Sequence, residues 1–430
     1  MSNEVFENWI GEINNYLKDP QKNSPSINYY ENKSKEIIDY VKKNSKFYKT
    51  HLQKESNNDS YFPFLKNIPF TTKEDLQKVG LDICSMSFDK IATYYETTGT
   101  TGKPTPCPRS PLDVETSGKF VENAMKSTYL NTFGNMEALT AIMGPSELYA
   151  FGDTYGEVCR KLKIPFVRLW PESPRVGIEK AAQLIKDLKV KSLICSPAIA
   201  LTLARYYKSI NIEPSTLPIK QIFVLGELCT PEMLKNISNI WHANCTHGLY
   251  GSQEIHALAT GSLDGHLNIS ETNYVIEIIP LEKWSENIGE LCLTMIVPGA
   301  KPLIRFKTGD LAQINNKSSP KTLKILGRVK DILIINNEEV SPYFIESSIL
   351  SEFKKLFGYQ CTLWIDENSK ENMSINIVSN VTNDEMKVIE QNLKEKFNLD
   401  VYIKKKNRLD PKTETGAYVS WKSARIIDRR

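Results

Sequence analysis

Through the middle of the chain, short apolar runs alternate with stretches whose apolar residues recur every three or four positions. Residues 139–143 and 192–195 have the length and composition of buried strands, and helical patterns follow them at 154–162 and 198–207. That alternation is the βαβ rhythm of a parallel sheet with crossover helices. The run 221–225 ends at Gly226, after which Thr230, Pro231 and Glu232 supply a helix cap, a proline suited to the first helical position and an acid in the first turn. A strand feeding a helix is predicted there.

Upstream, 29–52 reads as a polar amphipathic helix and 56–64 as a loop rich in Ser, Asn, Asp and Pro, together a solvated lead-in. After Gly265 the pattern changes to short β segments at 274–279, 290–296 and 303–306, without long helices between them. From Lys330 onward, an apolar run at 332–335, a helix at 342–353, paired strands at 361–365 and 373–378, a helix at 383–397 and a strand at 401–403 make a compact α+β set. The expectation is an α/β protein with a large N-terminal domain (1–329) containing a β-rich subdomain, and a small α+β C-terminal domain (330–430). The run Lys404-Lys405-Lys406 reads as a solvated strand end.

Composition narrows the class. With 430 residues and 40% hydrophobic content the chain buries a large core, and a formal net charge of +3 over that length gives no concentrated basic field for nucleic acid. The first nine residues lack a basic start and an apolar core, and no apolar run approaches the roughly 18–20 residues that span a bilayer. No membrane partner and a cytoplasmic location are expected. The eight cysteines are scattered singly without a Cys-x-x-Cys pair, as suits reduced thiols; Cys245 and His247 would need distant partners to hold a metal. A homodimer is compatible with the sequence.

The most informative segment runs from Tyr94 to Thr105. Thr97, Thr98, Gly99, Thr100, Thr101, Gly102 and Lys103 form a glycine-punctuated, hydroxyl-rich loop. Glycines allow close backbone approach, hydroxyls and amides cradle phosphate oxygens, and the lysine adds a cation. A Walker loop is excluded, because Pro104 follows Lys103 and Thr97 holds the first glycine position.

Thr97 to Pro104 resembles the threonine/serine/glycine loop of the adenylate-forming superfamily of acyl-CoA synthetases, adenylation domains and luciferases. Further segments resemble that superfamily's motifs in the required order: Tyr250-Gly251-Ser252-Gln253-Glu254, Arg305 to Asp310, and Gly327 to Asp331. Within it the chain is most similar to the phenylacetate-CoA ligase family, on the terminal segment Trp421 to Arg430, on Gly226-Glu227 and on Val340-Ser341-Pro342 with Glu346.

The resemblance implies a fold of two domains joined by a hinge at Lys330 and an AMP-forming acid-thiol ligase using ATP, magnesium and coenzyme A. The expected chemistry joins a small aromatic or arylacetic acid to AMP, releases pyrophosphate and then forms a thioester. It implies that Gly226, Glu227, Tyr250 and Gly251 line the base pocket, that Ser252 belongs to the nucleotide-binding set, that Glu254 helps hold magnesium, and that Asp310 and Arg328 contact the ribose. Lys422 is implied as the catalytic lysine, with Lys412, in Pro411 to Gly416, as rival. A carboxylate attacking an α-phosphate brings anion to anion, so a preorganised cation is needed. Trp421 stands where the family pattern has glycine, which leaves open transfer to a carrier-protein phosphopantetheine thiol or to an amine; a catalytically silent adenylate-binding protein is the third reading. The cysteines that hold zinc in some relatives are missing from 317–326 and from the region of Thr260 and Gly261, so no zinc is expected.

Overall fold

The computed structural model describes residues 3–54, 56–97, 103–407, 409 and 425–430. It divides into two compact units, one comprising Met1–Asn131, Pro145–Lys163 and Gly248–Ile325, the other Thr132–Gly144, Ile164–His247 and Leu326–Arg430. Each is described separately.

The first unit is built on a sheet of seven strands, in the order Tyr274–Pro280, Ile288–Met295, Phe306–Asn315, Thr322–Arg328, Leu267–Ile269, His256–Gly261 and Leu249–Ser252. This is the β-rich part, and helices cover it. The stretch expected to be a solvated lead-in is instead core: Tyr30, Ile37, Val41, Phe47 and Tyr48 are buried beside Leu291, Leu293 and Phe306 in one apolar cluster. The single helix expected at 29–52 is two, Ile27–Asn44 and Lys46–His51, because the Ser45 hydroxyl accepts from the Tyr48 amide and starts a new helix. The segment expected as a strand at 303–306 is mostly the approach to the Phe306–Asn315 strand; Arg305 has φ 45°, which no strand residue adopts. The 23-residue helix Pro111–Phe133 carries no clear apolar stripe and is additional to the elements read from sequence.

The second unit contains the predicted parallel sheet. Its strands run Phe166–Arg168, Thr140–Ile142, Ser192–Cys195, Gln221–Val224 and Asn244–His247, all parallel to their neighbours. Thr230 caps the helix Pro231–Trp241 by accepting from the Met233 amide, with Pro231 in the first turn. A four-stranded mixed sheet follows, Asp400–Lys405, Glu371–Val378, Gly358–Ile365 and Ile426–Asp428, with the helices Pro342–Ser351 and Asn383–Phe397. One apolar cluster joins Ile222, Met233 and Ile237 to Ile345, Ile349, Tyr359 and Leu363. Lys404, Lys405 and Lys406 are exposed. No disulfide joins the cysteines. Among the described residues no helix is long and apolar enough to cross a membrane.

Candidate active site

The phosphate-loop candidate is a hairpin connection in the first unit. Strand Thr93–Glu96 pairs antiparallel with Pro106–Arg109, and the chain between them closes where the Thr97 amide donates to the Thr105 carbonyl at 3.1 Å and the Thr105 amide to Thr97 Oγ1 at 2.9 Å. Thr97 therefore serves as the loop's clasp. Lys103 is exposed. Thr98, Gly99, Thr100, Thr101 and Gly102 lie outside the described residues, as do Lys412 and Lys422.

Gln253, to which sequence reasoning assigned no role, ties this hairpin to the Tyr250–Glu254 motif. Its side-chain nitrogen donates to the carbonyls of Leu148, at 3.1 Å, and Glu96, at 3.4 Å, and its oxygen accepts from the Ala150 amide at 3.2 Å. The base of the loop and the motif are thus held against each other through one amide side chain. A variable position inside a recognised motif was the only signal for it.

Within the motif, Leu249–Ser252 pairs antiparallel with His256–Gly261 through an irregularity between Tyr250 and Gly251. A Cβ on Gly251 would lie 1.8 Å from the His256 carbonyl oxygen, so only glycine allows the two backbones to close here. Ser252 Oγ donates to Glu254 Oε2 at 2.7 Å, and Lys73 Nζ lies 3.9 Å from Glu254 Oε1. Burial pushes the Glu254 carboxyl up, but Lys301, Lys73 and the Ser252 hydroxyl outweigh it and hold it below the usual carboxylate range. Lys301 is itself buried, its ammonium donating to the Pro106 carbonyl at 2.8 Å. A buried lysine supporting this carboxylate has no signature in sequence. An ionised carboxylate beside a hydroxyl offers the hard oxygen donors that magnesium takes. The residues present fit that ion. Among the described residues, no group of three His, Cys, Asp or Glu side chains is arranged to hold a metal.

Asp310 reaches the site through a bulge. Glu290 opposes Leu311 and Cys292 opposes Lys307, so Thr308, Gly309 and Asp310 together face Leu291. Gly309 takes φ 74° to make the bend, and Thr308 Oγ1 donates to the Leu291 carbonyl while accepting from the Asp310 amide. The Tyr250 hydroxyl then donates to Asp310 Oδ2 at 2.5 Å. Arg305, in the same motif, turns inward: it is fully buried, makes a two-pronged ion pair with Glu277, and donates to the carbonyls of Asp59, Leu65 and Ile68. Its role is to hold the 59–68 loop.

The second unit carries the remaining candidates. Gly226 and Glu227 form the turn after strand Gln221–Val224, and Glu227 accepts from the Ala198 amide in the first turn of helix Pro197–Ser209 at 3.3 Å. Arg328, half-buried, ends the strand Thr322–Arg328, and Lys330 is exposed in the single turn Val329–Asp331.

This architecture is the adenylate-forming enzyme fold. A 2-hydroxyisobutyryl-CoA ligase solved in the postadenylation state with R3-HIB-AMP superposes with a TM-score of 0.74 over 93% of this chain and 89% of that one, at 15% identity. The chain is similar in sequence to phenylacetate-CoA ligases. That of Thermus thermophilus is 23% identical over 346 residues, 75% of this chain and 74% of the relative, and that of Aromatoleum evansii is 27% identical over 304 residues, 66% of each. No family model matches the chain.

Proposed function

We propose that the chain is an ATP-dependent carboxylic acid:CoA ligase. The substrate carboxylate oxygen attacks the α-phosphorus of ATP, forming acyl-AMP as pyrophosphate leaves, and the thiol of coenzyme A then displaces AMP to give the thioester. The observation that carries this reading is that Gln253 ties the Tyr250–Glu254 motif to the base of the Thr97 hairpin, while Tyr250 in the same motif bonds Asp310 and Ser252 bonds Glu254. In this reading, Thr97 to Lys103 hold the triphosphate, Tyr250 lies against the purine, and Asp310 accepts from the ribose hydroxyls. By the resemblance, Gly226, Glu227 and Gly251 are assigned to the base, Ser252 to nucleotide binding and Arg328 to the ribose. Glu254, with the Ser252 hydroxyl, would hold magnesium, which draws charge off the phosphate oxygens.

Lys422 is assigned as the cation that meets the charge developing at phosphorus. Excluding water from a mixed anhydride and later admitting a thiol favours repositioning part of the chain between half-reactions, and the exposed Lys330 turn is the assigned pivot between 1–329 and 330–430. Sequence similarity to phenylacetate-CoA ligases favours an aromatic or arylacetic acid. A cytoplasmic enzyme without zinc, nucleic-acid or membrane partners accords with its composition.

The test is pyrophosphate exchange over a panel of arylacetic, benzoic and aliphatic acids, followed by mass spectrometry with coenzyme A. Exchange with one acid class and a matching CoA thioester is expected. Acyl-AMP that transfers only to a phosphopantetheinylated carrier or an amine would move the enzyme to those acceptors, as Trp421 allows. Nucleotide binding with no exchange for any acid would leave the silent binding protein.

A further inference from the structure

The second unit holds a buried polar cluster centred on Arg425 and Glu346, two residues to which the proposed reaction gives no role. Arg425, 11% exposed, precedes strand Ile426–Asp428 and pairs through Nη1 with Glu346 Oε2 at 2.8 Å. Its Nη2 donates to the Leu228 carbonyl at 2.5 Å and lies 3.8 Å from Glu227 Oε2. Glu346, on helix Pro342–Ser351 and 1% exposed, also accepts from the Thr230 amide at 3.1 Å and from the Tyr359 hydroxyl at 2.9 Å. Glu227, Leu228 and Thr230 thus all face one ion pair carried by the C-terminal part of the chain.

Nearby, Asn236 makes two bonds to the Leu356 peptide, donating to its carbonyl at 2.8 Å and accepting from its amide at 2.7 Å. The seam between the parallel sheet and the C-terminal strands is therefore closed by directional polar bonds beside its apolar cluster. Burial works against the charge on Arg425, yet Glu346, Tyr359 and Glu227 together raise the guanidinium above its ordinary value. Such an ion pair is stable only while both partners stay together, since parting them strands a buried charge. It presents to the turn a donor and an acceptor fixed relative to each other.

We propose that Arg425 is a positioning residue that fastens the Gly226–Thr230 turn to the C-terminal strands through Glu346. The proposal rests on the reading of that turn as part of the base pocket. Its consequence is that nucleotide affinity depends on a side chain that does not touch nucleotide, and that any pivot of 330–430 must break the bonds from this ion pair to Leu228 and Thr230.

The test uses the full chain with Arg425→Met, Arg425→Lys and Glu346→Gln. Hydrogen exchange should show the peptide containing Thr230 losing about tenfold protection in Arg425→Met, while the Gln221–Val224 strand keeps its own. KM for ATP should rise about fivefold or more with KM for the acid unchanged, and Arg425→Lys should recover part of that loss. Glu346→Gln should reproduce the pattern, and it serves alone if Arg425→Met does not fold. Uniform loss of protection across 221–247, equal changes in both KM values, or wild-type behaviour in both variants would overturn the fastening. If the wild type shows no exchange of pyrophosphate with any acid, the ligase reading fails, while the hydrogen-exchange pattern still decides the role of Arg425.

Discussion

Tyr250 and Asp310, sixty residues apart, share a hydrogen bond of 2.5 Å from the tyrosine hydroxyl to the carboxylate. The two belong to an edge strand and to a strand four places away in the same sheet, so the sheet curls far enough for them to meet. The bond orients the carboxylate assigned to the ribose and the ring assigned to the purine. Tyr250→Phe keeps the ring and removes the bond. It should cost about 1 kcal/mol in stability and raise KM for ATP several-fold, read by steady-state kinetics at saturating acid.

Glu254 sets an acid-side expectation. Its carboxyl lies below the ordinary value of 4.5 in the folded chain, so its ionised form contributes stability above pH 4.5, and this is lost only as pH falls through the lower folded value. Lys73→Met removes a cation 3.9 Å away and should shift the acid limb of the kcat/KM profile for MgATP toward higher pH. Glu254→Gln should lower kcat/KM by about a hundredfold and remove its magnesium dependence, measured by metal titration.

Gly251→Ala tests packing rather than chemistry. The added methyl meets backbone at 1.8 Å, and backbone cannot step aside as a flexible side chain would. A loss of at least about 3 kcal/mol is expected by denaturant unfolding.

Arg305→Met separates two readings of one motif. If the residue serves the 59–68 loop, the variant leaves Glu277 as an unpaired buried carboxylate and should cost about 3–5 kcal/mol, with loop peptides losing hydrogen-exchange protection. ATP affinity of the folded fraction should stay near that of the wild type.

Lys422→Ala should abolish pyrophosphate exchange while retaining much of the affinity for ATP, and Lys412→Ala should keep exchange. Isothermal titration with ATP beside the exchange assay separates binding from chemistry; surviving exchange in Lys422→Ala would transfer the role to Lys412.

Local signals decided much of this protein. The strand Ser192–Cys195 and the helix Asn383–Phe397 stand where apolar runs and periodicity put them, and the Thr230 cap forms as its residue type requires, because such features depend on neighbours a few positions away. Motif order alone pointed to the fold, and Tyr250, Glu254 and Asp310 were legible as candidates. Only the tertiary structure decided what supports them. Burial turned the polar N-terminal helices into core, placed Lys301 behind Glu254, sent Arg305 inward to Glu277, and gave Gln253 its bonds to Glu96 and Leu148. Each of these joins residues far apart in sequence, and the energy of a buried polar group depends on partners that chain order does not name.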